Sequence, residues 1–294
     1  MITAARKKDT ASMEFLDALA DPAVPFLRYA LISGLLASLA FGIIGTYVVA
    51  RRISYIAGAI AHSVLGGIGI GLYLEQRTGS AWLGPLPGAV IAALLSAIII
   101  GMVSLHAKER EDSVIGAIWA MGMAIGLLFI ARTPGYIEPM SYLFGNILLI
   151  SQTDLWLVVA LDLLVAGTAV LFYHKFLAVC FDEEYARLRG VRSDIYYLLL
   201  LCLTALTVVL LLRVVGIVMV IALLTLPAAV AGSFARSLGQ MMVFATLFCM
   251  AFISVGLAVS YTHDLPSGPT IIIIAGATYL TAMIVRRFRR KATS

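Results

Sequence analysis

The sequence predicts an all-α polytopic membrane protein with about eight to nine spans. Two observations carry this. Of the 294 residues, 62% are hydrophobic and only 13% charged, with a mean hydropathy of +1.01, which leaves too little polar surface for a soluble fold of this size. Apolar runs long enough to cross a hydrocarbon core of roughly 30 Å, about 20 residues each, recur along almost the whole chain. The charged stretches between them are short, so no separate soluble domain is left over. The net charge of +5 is accordingly a topology signal and not a nucleic-acid surface. Cys180, Cys202 and Cys249 are scattered without a CxxC pair, so they suggest neither a disulfide framework nor a cysteine metal cluster.

In chain order, residues 1–25 form a polar N-terminal tail without the apolar core and small-residue cleavage site of a secretory signal. A transmembrane unit is expected over residues 26–288, followed by a basic tail at 289–294. Its nine spans fall at about 29–50, 53–74, 82–105, 113–131, 155–173, 195–212, 214–235, 237–262 and 265–285. Arg213 alone divides the sixth from the seventh. Pro139 to Thr153 is uncharged but too short to span, which suits a partial or re-entrant helix. The loop "HKFLAVCFDEEYARLRGVRSD" is helix-permissive from Asp182 to Arg189 and stopped by Gly190. It reads either as a solvated linker or as a short surface helix presented to a cytoplasmic partner. "HDLPSGPT" is a turn signal that breaks the chain before the last span.

Orientation follows from Lys and Arg. With the N-terminus outside, 14 of the 21 basic residues fall on the cytoplasmic side, among them Arg51, Arg52 and Arg187, and seven remain outside. N-out and C-in is therefore expected, with "ARKK" near the start as a sign against it.

Ionisable residues inside a span are functional candidates, because burying them is costly unless they find a partner or water. His62 lies about nine residues, or roughly 14 Å, into the second span, near the midplane. A neutral imidazole there is a good ligand for zinc, iron and similar ions; the plainer alternative is a histidine satisfied by a neighbouring helix. Gly66, Gly67, Gly69 and Gly71 come next, and leave backbone open either to a close-packed helix or to a permeating ion. Pro227, in "ALLTLPAAVAG", removes a backbone donor within the seventh span, so a kinked or broken helix is expected there. Asp162 is a second buried ionisable residue that could line a route, cap a neighbour or be protonated in place. Glu138, Asp154, His263 and Asp264 lie where they could gather cations at the outer face, or simply be solvated.

No arrangement supports catalysis: the chain has no Walker-type phosphate loop, no HExxH and no serine–histidine spacing with an orienting acid. Uphill transport would need energy from a partner or from an ion gradient. A self-sufficient secondary metal-ion transporter or channel is the alternative, against which stand the absence of an apparent internal repeat and the scarcity of buried carboxylates. An intramembrane protease is more distant, since Ser63 points to a different helix face from its neighbour His62.

Read in order, "VVARRISYIAGAIAHSVLGGIGIG", "EREDSVIGAIWAMGMAIGLLF", "YLFGNILLISQTDL", "FDEEYARLRGV", "VVGIVMVIALLTLPAAVA" and "DLPSGPT" resemble the permease subunit of the zinc/manganese/iron ABC importers. The similarity runs from about Phe15 to Arg287. The resemblance implies a fold related to the cobalamin-type importers, in the bacterial cytoplasmic membrane. It implies a permease dimer with the path between its halves, the second half being a copy or a paralogue. It also implies a cytoplasmic ABC ATPase, an extracytoplasmic metal-binding protein and a divalent metal as cargo. No permanently bound cofactor is implied, and ATP belongs to the partner subunit. Residues 181–190 become the coupling helix that sits on the ATPase, with Asp182, Glu183, Glu184, Tyr185, Ala186, Arg187 and Gly190 in it. The histidine of such permeases is usually preceded four residues earlier by an aspartate, making a transient metal site on one helix face. Here His62 matches but the acidic position is Gly58. The missing carboxylate leaves three possibilities: facing His62 rings in a homodimer, a paralogue that supplies the acid, or compensation from Asp162. Imidazole without carboxylate leans toward zinc over manganese.

Overall fold

In the computed structural model the described residues are 15, 17–19, 21, 25–106, 111–134, 142–143, 145 and 150–292. They form helices α1 (Pro25–Ala50), α2 (Ser54–Thr78), α3 (Pro85–His106), α4 (Glu111–Arg132), α5 (Gln152–Leu171), α6 (Tyr173–Phe181) and α7 (Glu183–Leu188). The order continues with α8 (Ser193–Val215), α9 (Ile217–Ala231), α10 (Leu238–Thr262) and α11 (Ser267–Ala292). Helix is the form these apolar runs must take, since hydrocarbon offers no partners for backbone N–H and C=O groups. Local signals set several boundaries. Ser151 and Asp154 make a reciprocal capping box at the start of α5, Ser237 accepts from the Gln240 N–H to open α10, and left-handed Gly79 (φ 69°) closes α2.

Eight of the described helices are long and apolar enough to cross a membrane. The seventh expected span differs. α8 runs straight through Arg213 to Val215, and the break comes at Gly216, whose φ of 81° and ψ of 162° suit only glycine. The helix after the break, α9, has 15 residues, or about 22 Å, and is shorter than an ordinary span. Pro227, expected to break this helix, lies inside it with helix on both sides. Its missing N–H frees the Leu223 carbonyl within a helix that runs on to Ala231, and the interruption before that helix falls at Gly216. The expected partial helix at 139–153 lies largely outside the described residues. One residue of it, Gly145 (φ 62°), presses on the break: a Cβ there would come within 2.4 Å of the Gly216 nitrogen.

The bundle is organised around α1 and α2, whose most apolar stretches are 72% and 78% buried, against 17% for α4 at the periphery. α2 lies between α3 and α4, while α1 packs against α10, α9 and α5. At the N-terminus, most of the expected tail lies outside the described residues. Phe15 and Ala18 nevertheless belong to the core, with Phe15 edge-on to Tyr261. At the other end α11 continues through the expected boundary at 288 to Ala292.

Candidate functional site

His62 sits in the first half of the central helix α2, one turn after Gly58 on the same face. Its imidazole stacks on the Trp119 indole of α4, with ring centroids 4.4 Å apart and planes 11° from parallel. Tyr55, a further turn back, approaches the same indole at 5.9 Å. The Nδ1 atom of His62 is buried and makes no hydrogen bond among the described residues. Gly58 has room: a Cβ there would meet Trp119 at 3.6 Å, an ordinary contact.

The glycines beyond His62 do something else. A Cβ on Gly66 would fall 2.8 Å from the Gly122 carbonyl oxygen and one on Gly69 2.4 Å from that of Gly126, so this edge of α2 is fitted to α4. One on Gly67 would fall 2.1 Å from the Gly88 oxygen and one on Gly71 2.4 Å from the Gly84 oxygen, so the opposite edge is fitted to α3 and the turn before it. The partner glycines of α3 and α4 complete a small-on-small packing that lets backbones touch. Gly66 and Gly67 thus hold helices together; Gly58 is the position with space beside it. Between α3 and α4, Gly66, Gly67 and Gly71 line an apolar groove of about 380 Å³ that Trp82 also borders.

Asp162 lies elsewhere. One carboxylate oxygen accepts from the Ala40 N–H of α1 at 3.2 Å, and the other makes no hydrogen bond among the described residues. Its contact is with α1, whereas those of His62 are with α4. Ser63 is engaged too, its hydroxyl donating to the Ile60 carbonyl of its own helix at 2.8 Å. Asp154 belongs to the α5 capping box, His263 and Asp264 are exposed, and Glu138 lies outside the described residues. Among the described residues no group of three or more His, Cys, Asp and Glu side chains could hold a metal ion.

The loop between α5 and α8 folds into two helices. Asp182 is extended between them, so the surface helix is the six residues Glu183–Leu188, closed by left-handed Gly190 (φ 77°). Ala186 is its buried residue, while Glu184, Leu188 and Arg189 face outward; the Tyr185 side chain lies outside the described ones. Glu183 pairs with Arg51 at the end of α1 and with Arg187 at 2.9 Å, and Arg187 reaches Asp194 at 2.6 Å and Ser193 at 2.8 Å at the start of α8. Arg51 also lies over the Tyr197 ring, 5.4 Å from its centroid. Nearby Cys180 is a neutral thiol, pushed up to about 12 by burial against a smaller lowering by Arg51. The helix is thereby clamped to both the α1–α2 junction and α8.

Trp119 and Arg51 are not singled out by the sequence. The only signals are a tryptophan among small residues in "IWAMG" and a basic pair between two spans.

Comparison with known proteins agrees with this architecture. The profile of the ABC 3 transport family matches residues 23–286. The chain is 40% identical over 270 residues to a protein of Chlamydia trachomatis named "Probable metal transport system membrane protein", covering 92% of each. It is 32% identical over 258 residues to the manganese transport system membrane protein MntC of Halalkalibacterium halodurans, covering 87% of this chain and 86% of that one. Among solved structures, a chain of PsaBC from Streptococcus pneumoniae in complex with Fab superposes with a TM-score of 0.80 at 28% identity, over 92% of this chain and 94% of the other.

Proposed function

This chain belongs to the ABC 3 transport family, and on that premise we propose that it is the membrane-spanning permease of an ATP-driven importer of a divalent transition metal. It is non-catalytic: a partner ATPase binds the face that carries α7, a metal-binding protein delivers the ion at the opposite face, and a second permease completes the path. The observation that carries this reading is the pairing of two features on one central scaffold. A buried imidazole nitrogen without a hydrogen bond among the described residues lies on α2, and a short outward-facing helix is clamped by Arg51 to the start of that same α2.

Movement of α7 under the ATPase passes through Glu183 and Arg51 to α2, and changes the access of His62 from one side to the other. The ion meets His62 as a transient ligand, held weakly enough to leave. Asp162 is assigned to the α1–α5 contact. For the cargo, the carboxylate-free position at Gly58 favours zinc, whereas the name of the Halalkalibacterium relative supports manganese.

Reconstitution tests the reading. The chain with its ATPase and binding protein is expected to take up labelled zinc or manganese into sealed vesicles only with ATP. The chain alone is expected to take up none. Uptake by the chain alone, driven by an imposed ion gradient, would replace the permease by a secondary transporter.

A further inference from the structure

We propose that Trp119 is the positioning residue of the His62 site: its indole fixes the imidazole plane and borders the space that glycine leaves at position 58. The proposal rests on His62 being a ligand in the path.

Three observations converge. The 4.4 Å, 11° stack holds the imidazole parallel to the indole, which fixes the plane in which its nitrogen lone pairs point. The indole also lies 3.6 Å from where a side chain at Gly58 would begin, so one ring covers both positions of the α2 face. Finally, no hydrogen bond among the described residues holds Nδ1. Histidine ligands ordinarily donate their second nitrogen to a carboxylate or carbonyl, which sets the ring's orientation. Here the indole stacked on the ring face sets the ring plane instead, and an aromatic pair is suited to it because its geometry is specific and needs no polar partner in hydrocarbon.

The indole is itself held. Tyr55 flanks it at 5.9 Å, one turn from Gly58, and α4 is fitted to α2 by Gly122 and Gly126 just beyond. Trp119 therefore keeps its place as long as the two helices stay in contact. A movement that separated them would release the imidazole, which makes the stack sensitive to the transport cycle.

The test uses the complete importer. Trp119→Phe keeps a stacking ring and Trp119→Ala removes it. Loss of an orienting partner typically costs about 10–100-fold in metal affinity or activity. Trp119→Ala is expected to lose uptake in that range at low ion concentration, and Trp119→Phe to stay close to wild type. A second readout leaves Trp119 in place. Of the three tryptophans, Trp82 and Trp156 are exposed, so replacing both by Phe leaves Trp119 as the sole emitter. Adding zinc or manganese chloride to that chain is expected to shift its emission, and His62→Ala is expected to abolish the shift. Wild-type uptake by Trp119→Ala, or an emission blind to both metals, would overturn the proposal. If His62→Ala itself transports normally, the path role of His62 fails instead; if only Trp119→Ala does, that role stands and the positioning role falls.

Discussion

Glu183 opens the six-residue surface helix and pairs with Arg51, which lies 132 residues earlier at the α1–α2 junction. Arg52, the next residue, is left-handed (φ 63°), and α2 begins two positions later. The pair thus ties the surface helix to the junction from which the helix carrying His62 starts.

Breaking this pair should uncouple transport from ATP hydrolysis. Hydrogen bonds to charged groups are worth about 1.5–3 kcal/mol, and this one belongs to a network with Arg187 and Asp194. Arg51→Ala and Glu183→Ala are each expected to lower ion uptake per ATP hydrolysed, and the double mutant to be no worse than the more severe single. The ratio of uptake to hydrolysis in vesicles measures it; additive losses would show that the residues act separately.

Gly67 and Gly58 should answer differently to the same methyl group. At Gly67 it would enter the Gly88 backbone at 2.1 Å, and overpacking of this kind costs about 1–3 kcal/mol. At Gly58 the contact is 3.6 Å. Gly67→Ala should lower the unfolding midpoint in detergent by several degrees and Gly58→Ala should leave it nearly unchanged.

Gly216→Ala should destabilise the α8–α9 break. Conformations reserved for glycine cost other residues on the order of 1–3 kcal/mol, and the backbone of Gly145 packs closely on this turn. Pro227→Ala, inside a continuous helix, is expected to be milder. Unfolding midpoints of the two variants decide whether the interruption belongs to the glycine or to the proline.

Asp162→Asn keeps an oxygen acceptor for the Ala40 N–H and should preserve assembly and uptake, whereas Asp162→Leu removes it and should lower stability. Uptake abolished in a well-assembled Asp162→Asn protein would return this residue to the path.

Much of this molecule is legible in the sequence because hydropathy alone fixes where helices lie. Charge and glycine then mark many of the ends. The surface helix is visible in "DEEYARLRG", although its first residue is Glu183 and not Asp182. The break at Gly216 is not, because a glycine between apolar residues carries no polarity signal, and the neighbouring arginine draws the boundary instead. At the site, His62 stands out as an ionisable residue in an apolar run. Its partner does not, since a stacked tryptophan in a span looks like any other lipid-facing aromatic until the facing helix is in place. The glycines after His62 are equally compatible with a path and with packing. The opposing backbones of α3 and α4 show the close packing, which the sequence alone does not place.

The most direct measurement is ATP-dependent uptake of labelled zinc and manganese by the assembled importer, wild type against His62→Ala, at matched ATPase activity. Uptake of one or both metals by the wild type and its loss in the variant are expected, with the preferred metal identifying the cargo. Equal uptake by the two proteins would contradict a path role for His62 and reduce its stack on Trp119 to packing.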